Sequence, residues 1–310
     1  MANNGSTDCS YAHADRFAVI KLFTKTFLKK LKRTTKITIP EIQALKNKRK
    51  ITVLTAYDYP TALLVEQAGI DIILVGDSLA NVVLGLDSTT KVGMTEMLHH
   101  TCAVTGAVKN TIVIADMPYS AYQTDPTQAL VNAQRFITGA RAQGVKLEWF
   151  EHCLEVTQQL VHAGIPVMGH IGLTPQTADK IGGYVCQGKD ALTAQRLIDA
   201  ALALEAQGCF AIVLECIPEK ISALITRKLK IPTIGIGAGI HCDGQVLVIN
   251  DLLGLNPGHT PKFAKKYAHL ALLILKAVED FKNDVLTEKF PAPENSFSIK
   301  DEEFKKINEI

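Results

Sequence analysis

The sequence predicts an α/β fold, a parallel (β/α)8 TIM barrel, and two observations carry that prediction. From Ile51 onward short β-branched apolar runs alternate with longer helix-period segments, and the runs number eight. The runs are also apolar throughout rather than alternating, so each strand needs cover on both faces, as in a parallel sheet. Eight parallel βα units close most economically into a barrel. A doubly wound open sheet is the structural alternative.

The predicted strands are residues 51–57, 71–78, 111–118, 145–149, 166–173, 210–217, 232–237 and 245–250. Between them the 3.6-residue period predicts helices over 95–107, 126–142, 151–163 and 191–207. Gly69, Gly144, Gly164 and Gly208 stand where a helix C-terminal stop belongs. A further helix is expected at 261–282, followed by a polar tail from Pro291. No composition shift or Pro/Ser-rich linker divides the body. The expected organisation is therefore a basic extension over 1–38, a barrel domain with its C-terminal helix over 39–297, and a polar tail over 298–310.

Composition narrows the function classes. With 47% hydrophobic and 21% charged residues the chain can bury a sizeable core. A net charge of +2 supplies no general field for nucleic acid or an anionic membrane, which favours small-molecule chemistry. The seven cysteines lack any C-x-x-C pair, and with no secretory signal they read as reduced thiols, mostly core filler. No apolar run of about 18 residues is present, so no membrane span is expected. Residues 16–36 are basic without an acidic residue, a pattern that suits an amphipathic helix. Its readings are a transit peptide, a surface anchor or a solvated extension, and Asp8 and Asp15 weaken the first. The expected location is cytoplasmic, or mitochondrial if 1–38 is a transit peptide.

Polar residues interrupt the strands near their carboxyl ends: Asp77, Asp116, Lys146, Glu148, His170 and Glu215. In a parallel barrel those ends converge on one face, where active sites of this fold are built. Asp77, Asp116 and Glu148 would repel one another there unless protons or a cation neutralised them, and oxygen-only ligands favour Mg²⁺, Mn²⁺ or Ca²⁺ over zinc. Such a site suits a 2-oxo acid chelated through its keto and carboxylate oxygens, with a base beside the adjacent carbon. An apolar strand disfavours the charged form of Glu215 and makes it the candidate base. Each residue also has a plainer reading. Asp77 fits a helix N-cap, Lys146 a simple partner for Glu148, and His170 a satisfied core histidine. GIGAG at 235–239 fits a tight turn, and His99–His100 a partly solvated face.

These segments resemble the ketopantoate hydroxymethyltransferase family. The resemblance rests on TAYDYP at 55–60, VGDSL at 75–79, GLDST at 85–89, ADMPY at 115–119, VKLE at 145–148, GHIGLTPQ at 169–176, LECIP at 214–218, and IGIGAG followed by CDGQVLV at 242–248. It runs from about Thr38 to about Phe297. It implies a barrel of the phosphoenolpyruvate mutase/isocitrate lyase-like type. Asp77, Asp116 and Glu148 match metal positions, with Mg²⁺ the implied ion and other divalent metals possible. Asp77, Ser78, Asp116 and Lys146 match groups that hold the oxo acid, Glu215 matches the proton acceptor, and His170 is a possible accessory. The implied reaction transfers a hydroxymethyl group from 5,10-methylenetetrahydrofolate to 3-methyl-2-oxobutanoate through a metal-stabilised enolate, giving 2-dehydropantoate and tetrahydrofolate. A homodecamer is implied as well.

The sequence departs from the family pattern at Trp149 and Phe150, where two glycines are usual, in GGYVCQG at 182–188, which lacks a lysine, and at Asn250. The alternatives are a lyase of the same superfamily, or an oxo-acid-binding paralogue whose site Trp149 and Phe150 have altered.

Overall fold

A computed structural model describes residues 35–181, 183–256 and 261–307. The chain divides into two compact units, one ending at Ile249 and the other beginning at Asn250.

The first unit is a closed parallel barrel of eight strands, which excludes the open sheet. The strands are β1 Ile51–Thr55, β2 Ile72–Val75, β3 Ile112–Asp116, β4 Gly144–Glu148, β5 Val167–Gly172, β6 Ala211–Glu215, β7 Thr233–Ile236 and β8 Gly244–Leu247. They pair in chain order, and β8 returns to β1 through Ile51 opposite Gly244 and Val53 opposite Val246. Every residue of β2, β3, β4 and β7 is buried, the consequence of a sheet lined inside and covered outside. All eight predicted strands are present. Several end earlier than expected, because past the last ladder bond the chain turns out to build the carboxyl-end loops.

Helices Tyr59–Gln67, Met94–Ala107, Pro126–Gln134, Cys153–His162, Ala191–Ala206 and Glu219–Lys228 follow successive strands. Local chemistry sets their starts: Asp58, Asp125 and Asp190 each accept the backbone N–H two or three residues on. The first, fourth and fifth of these helices end as predicted, at Gly69, Gly164 and Gly208, where φ is 80°, 79° and 91°.

Gly144 plays a different part from the one expected. It is the first residue of β4, and a Cβ there would lie 2.8 Å from the Pro166 carbonyl of the neighbouring chain segment. The stop is made instead by Arg141 at φ 60°. The helix expected over 126–142 breaks at Gln134 into a π-helical turn, Arg135–Gly139. Short helices at Ile39–Gln43, Tyr59–Gln67, Leu79–Val82 and Glu219–Lys228 had no counterpart among the helices named from periodicity.

The second unit contains the helix Leu270–Leu286, which begins nine residues later than predicted, and Asp301–Ile307, a short helix inside the expected polar tail. Among the described residues no helix is long and apolar enough to cross a membrane. The basic helix expected over 16–36 lies outside the described residues, apart from Thr35 and Lys36.

At the amino-terminal end of the barrel each buried carboxylate has its own cation. Lys46 Nζ lies 2.6 Å from Asp243 Oδ2, which also accepts the Thr233 N–H at 2.9 Å, tying β7 to the turn before β8. Arg49 grips Asp71 with two bonds of 2.7 and 2.8 Å, and Asp71 accepts the Thr52 N–H and hydroxyl, each at 2.9 Å. Removing one partner of a buried pair strands the other charge. Lys46→Met is therefore expected to lower unfolding free energy by about 3 kcal/mol, measured by urea denaturation. The double variant with Asp243→Asn should recover part of that loss.

Candidate functional site

The polar residues named from the strand ends meet at the carboxyl end of the barrel. Asp116, Glu148 and Glu215 are the last residues of β3, β4 and β6; Lys146 and His170 lie within β4 and β5; Asp77 and Ser78 stand just past β2. Register aligns them in pairs, Asp116 beside Lys146, Glu148 beside His170 and Gly172 beside Glu215. Gly172 is required there: at φ 99°, a Cβ would fall 2.2 Å from the Glu215 carbonyl oxygen.

Lys146 Nζ is 2.8 Å from Asp116 Oδ1, and it also lies 3.4 Å from His170 Nδ1. The other oxygen of Asp116 accepts the Asp77 N–H at 3.0 Å. His170 stands between two carboxylates, with Nδ1 3.5 Å from Glu148 and Nε2 3.2 Å from Glu215. Glu215 retains 15% side-chain exposure, whereas Asp116, Glu148 and His170 are buried. Ser78 Oγ meets the Tyr57 hydroxyl at 2.9 Å.

The plainer readings fare unevenly. Asp77 caps no helix: Ser78 holds that position, and the Asp77 carboxylate is buried against Gln176. Lys146 does pair with a carboxylate, but with Asp116 on the next strand. His170 is buried and lies among charges rather than apolar groups. GIGAG is the tight turn expected, with positive φ at Gly237 and Gly239. His99 is exposed, but His100 is half-buried and its Nδ1 lies 2.6 Å from the Tyr57 carbonyl, so this pair is not simply a solvated face.

Sequence reasoning assigned no role to Gln176, Tyr122 or Tyr57. All three are buried and hydrogen-bonded to the site or its neighbours. The available signal was the buried-strand motif GHIGLTPQ, which Gln176 closes. Trp149 and Phe150 prove to be part of the scaffold: the Trp149 N–H donates to the His170 carbonyl at 2.9 Å, and the Phe150 ring meets Tyr122 edge-on at 5.2 Å.

The electrostatics reflect unmatched negative charge. Burial, then the charges of Asp116 and Glu148, push the Asp77 carboxyl well above the usual carboxylate range. Burial also raises Asp116, although Lys146 opposes the shift. Burial works against the charged form of Lys146, but Asp116, Glu148 and Asp77 outweigh it and raise the ammonium above its usual value. For His170, burial and Lys146 disfavour the imidazolium, yet Glu148 and Glu215 prevail and push it up to about 9.

Fully ionised, the four carboxylates Asp77, Asp116, Glu148 and Glu215 face two cations, Lys146 and protonated His170, leaving two negative charges uncompensated. Asp116 Oδ1 is buried and, despite its ion pair with Lys146, has no aligned hydrogen bond, so it keeps a free lone pair. Among the described residues no three His, Cys, Asp or Glu side chains form a ready metal cage. A zinc-type site is thus poorly served. An ion such as Mg²⁺, which takes one or two carboxylates and completes its shell with water and substrate oxygens, fits the donors present.

His170 also makes stability depend on pH. Its folded-state pKa lies above the unfolded value near 6.5, so its contribution is complete below about pH 6.5 and is lost as pH rises through about 9. With a chelator present, urea denaturation should show stability falling across that window, and His170→Gln should flatten the fall.

Comparison with known proteins shows the family. The family model described as ketopantoate hydroxymethyltransferase matches residues 36–293. A 3-methyl-2-oxobutanoate hydroxymethyltransferase from Syntrophobacter fumaroxidans is 52% identical over 273 residues, covering 88% of this chain and 97% of its own length. The enzyme of the same name from Enterococcus faecalis is 51% identical over 258 residues, covering 83% and 94%. Among solved structures, phosphonopyruvate hydrolase in complex with oxalate and Mg²⁺ superposes with a TM-score of 0.53 at 14% identity, covering 88% of this chain and 96% of that one. A 2,3-dimethylmalate lyase of the phosphoenolpyruvate mutase/isocitrate lyase superfamily gives 0.54 at 15% identity, covering 84% and 93%. At such identities these two share the fold alone. The chain belongs to the ketopantoate hydroxymethyltransferase family and is a transferase.

Proposed function

We propose that the carboxyl-end site carries out the family reaction on 3-methyl-2-oxobutanoate, with 5,10-methylenetetrahydrofolate as one-carbon donor and Mg²⁺ or a similar divalent cation at the cluster of Asp77, Asp116 and Glu148, one or two of which would bind it directly and the rest through water. The observation that carries the cation is the surplus of two buried negative charges, which a divalent ion would match. A cation in this fold also has a precedent in the phosphonopyruvate hydrolase complex with oxalate and Mg²⁺. When bound, the ion would draw electron density from the keto group and acidify the hydrogen on C3.

The protein's own groups do the rest. Lys146, held charged by its carboxylate neighbours, faces the oxygen on which negative charge develops. Ser78, fixed by Tyr57, offers a hydroxyl to the oxo acid beside Asp77. Glu215, the most exposed of the acidic groups, accepts the C3 proton, and His170 behind it orients that carboxylate. The new C–C bond forms between C3 and the methylene carbon of the cosubstrate, and both bonds from that carbon to the folate nitrogens break. Water supplies the hydroxyl, its remaining proton and the one taken from C3 go to the two nitrogens, and 2-dehydropantoate and tetrahydrofolate leave. The active protein is a homo-oligomer, a decamer by resemblance, acting in the cytoplasm; light scattering checks the first point.

Proton removal can be tested apart from carbon transfer. Substrate deuterated at C3 should lose its label in the presence of Mg²⁺ without folate, as followed by NMR. Glu215→Gln should slow the loss at least about 100-fold, the usual contribution of a general base. Neither label loss nor product with the unaltered chain and Mg²⁺ would falsify the mechanism.

A further inference from the structure

Gln176 is a buried side chain that joins several parts of the site. Its amide Nε2 donates to Asp77 Oδ2 at 2.7 Å and to the Met117 carbonyl at 3.0 Å, and its backbone N–H donates to Glu148 Oε2 at 3.0 Å. Its amide oxygen accepts from the Tyr122 hydroxyl. That hydroxyl in turn receives a long contact, 3.4 Å, from the Glu148 N–H. Both residues are at least 96% buried, Gln176 at 4% exposure and Tyr122 at 1%.

The orientation of the amide follows from the partners. An amide nitrogen has two hydrogens, and the Asp77 carboxylate and Met117 carbonyl offer two acceptors; the amide oxygen requires a donor, and the phenol supplies one. Flipped by 180°, the amide would set its oxygen against two acceptors. A carboxylate here would lack both hydrogens. The Tyr122 ring is itself fixed edge-on by Phe150 at 5.2 Å, so the aromatic pair anchors the amide to the loops after β3 and β4.

We infer that Gln176 is a positioning residue that sets the separation and orientation of Asp77 and Glu148 for a divalent cation, with Tyr122 and Phe150 locking its amide. The inference rests on the cation reading above and concerns which groups hold the carboxylates in place. Gln176 acts through Asp77 and Glu148, its amide bonding Oδ2 of Asp77 and its backbone N–H bonding Oε2 of Glu148.

The test uses the full chain, stripped with chelator, and Mn²⁺ as the probe, with free Mn²⁺ measured by electron paramagnetic resonance. Gln176→Leu should weaken Mn²⁺ binding about 10- to 100-fold, the usual loss when a partner of a metal ligand is removed. Tyr122→Phe frees the amide to rotate and should weaken it about fivefold, the worth of one hydrogen bond. Deuterium loss from the oxo acid should fall more at limiting than at saturating Mn²⁺. Lys46→Met, destabilised at the opposite end of the barrel, serves as a control in which Mn²⁺ affinity stays as in the unaltered chain. If Gln176→Leu does not fold, Tyr122→Phe decides.

Folded variants that bind Mn²⁺ within twofold of the unaltered chain overturn this role for Gln176 and leave the cation reading standing. An unaltered chain that binds no Mn²⁺ overturns both.

Discussion

The structure depends on an imbalance of buried charge at one end of the barrel. Three carboxylates, Asp77, Asp116 and Glu148, are almost wholly removed from water, and a fourth, Glu215, is mostly so. Each ionised group costs several kcal/mol to bury unless compensated. Lys146 and His170 compensate part of it, and the raised carboxyl of Asp77 records what is left over. A site with that deficit attracts positive charge.

The two ends of the barrel make the point by contrast. At the amino-terminal end Lys46 meets Asp243 and Arg49 meets Asp71, and each carboxylate also accepts backbone donors. Charge is matched pair by pair, and the consequence is stability. At the carboxyl end one ammonium and one imidazolium serve four acids. The barrel makes such a mismatch tenable because its strands are fixed in register and covered on both faces, so the acids cannot move apart to relieve their repulsion.

Fold and activity separate cleanly in this molecule. Phosphonopyruvate hydrolase and 2,3-dimethylmalate lyase share the barrel at about 15% identity, while the hydroxymethyltransferases share half the sequence. The barrel therefore identifies an architecture, and similarity along the whole sequence identifies the family. Trp149 and Phe150 are held by scaffold contacts: one is tied by its backbone to β5, and the other packs against Tyr122.

The sequence by itself determined the eight strands, their parallel sense and the acids that would meet, because continuous apolar runs and polar residues at their carboxyl ends are local patterns with one economical closure. It also placed helix starts at 126 and 191, where Asp125 and Asp190 make caps that are local bonds. Only the tertiary structure decided that Gly144 opens a strand, since that role comes from the approach of Pro166 on another segment. Tertiary structure likewise decided that Lys146 pairs with Asp116 rather than Glu148, that His170 bridges two acids, and that Gln176 ties Asp77 to Glu148 across 99 and 28 residues of chain. Those contacts depend on barrel closure and interstrand register, which no spacing along a single strand encodes.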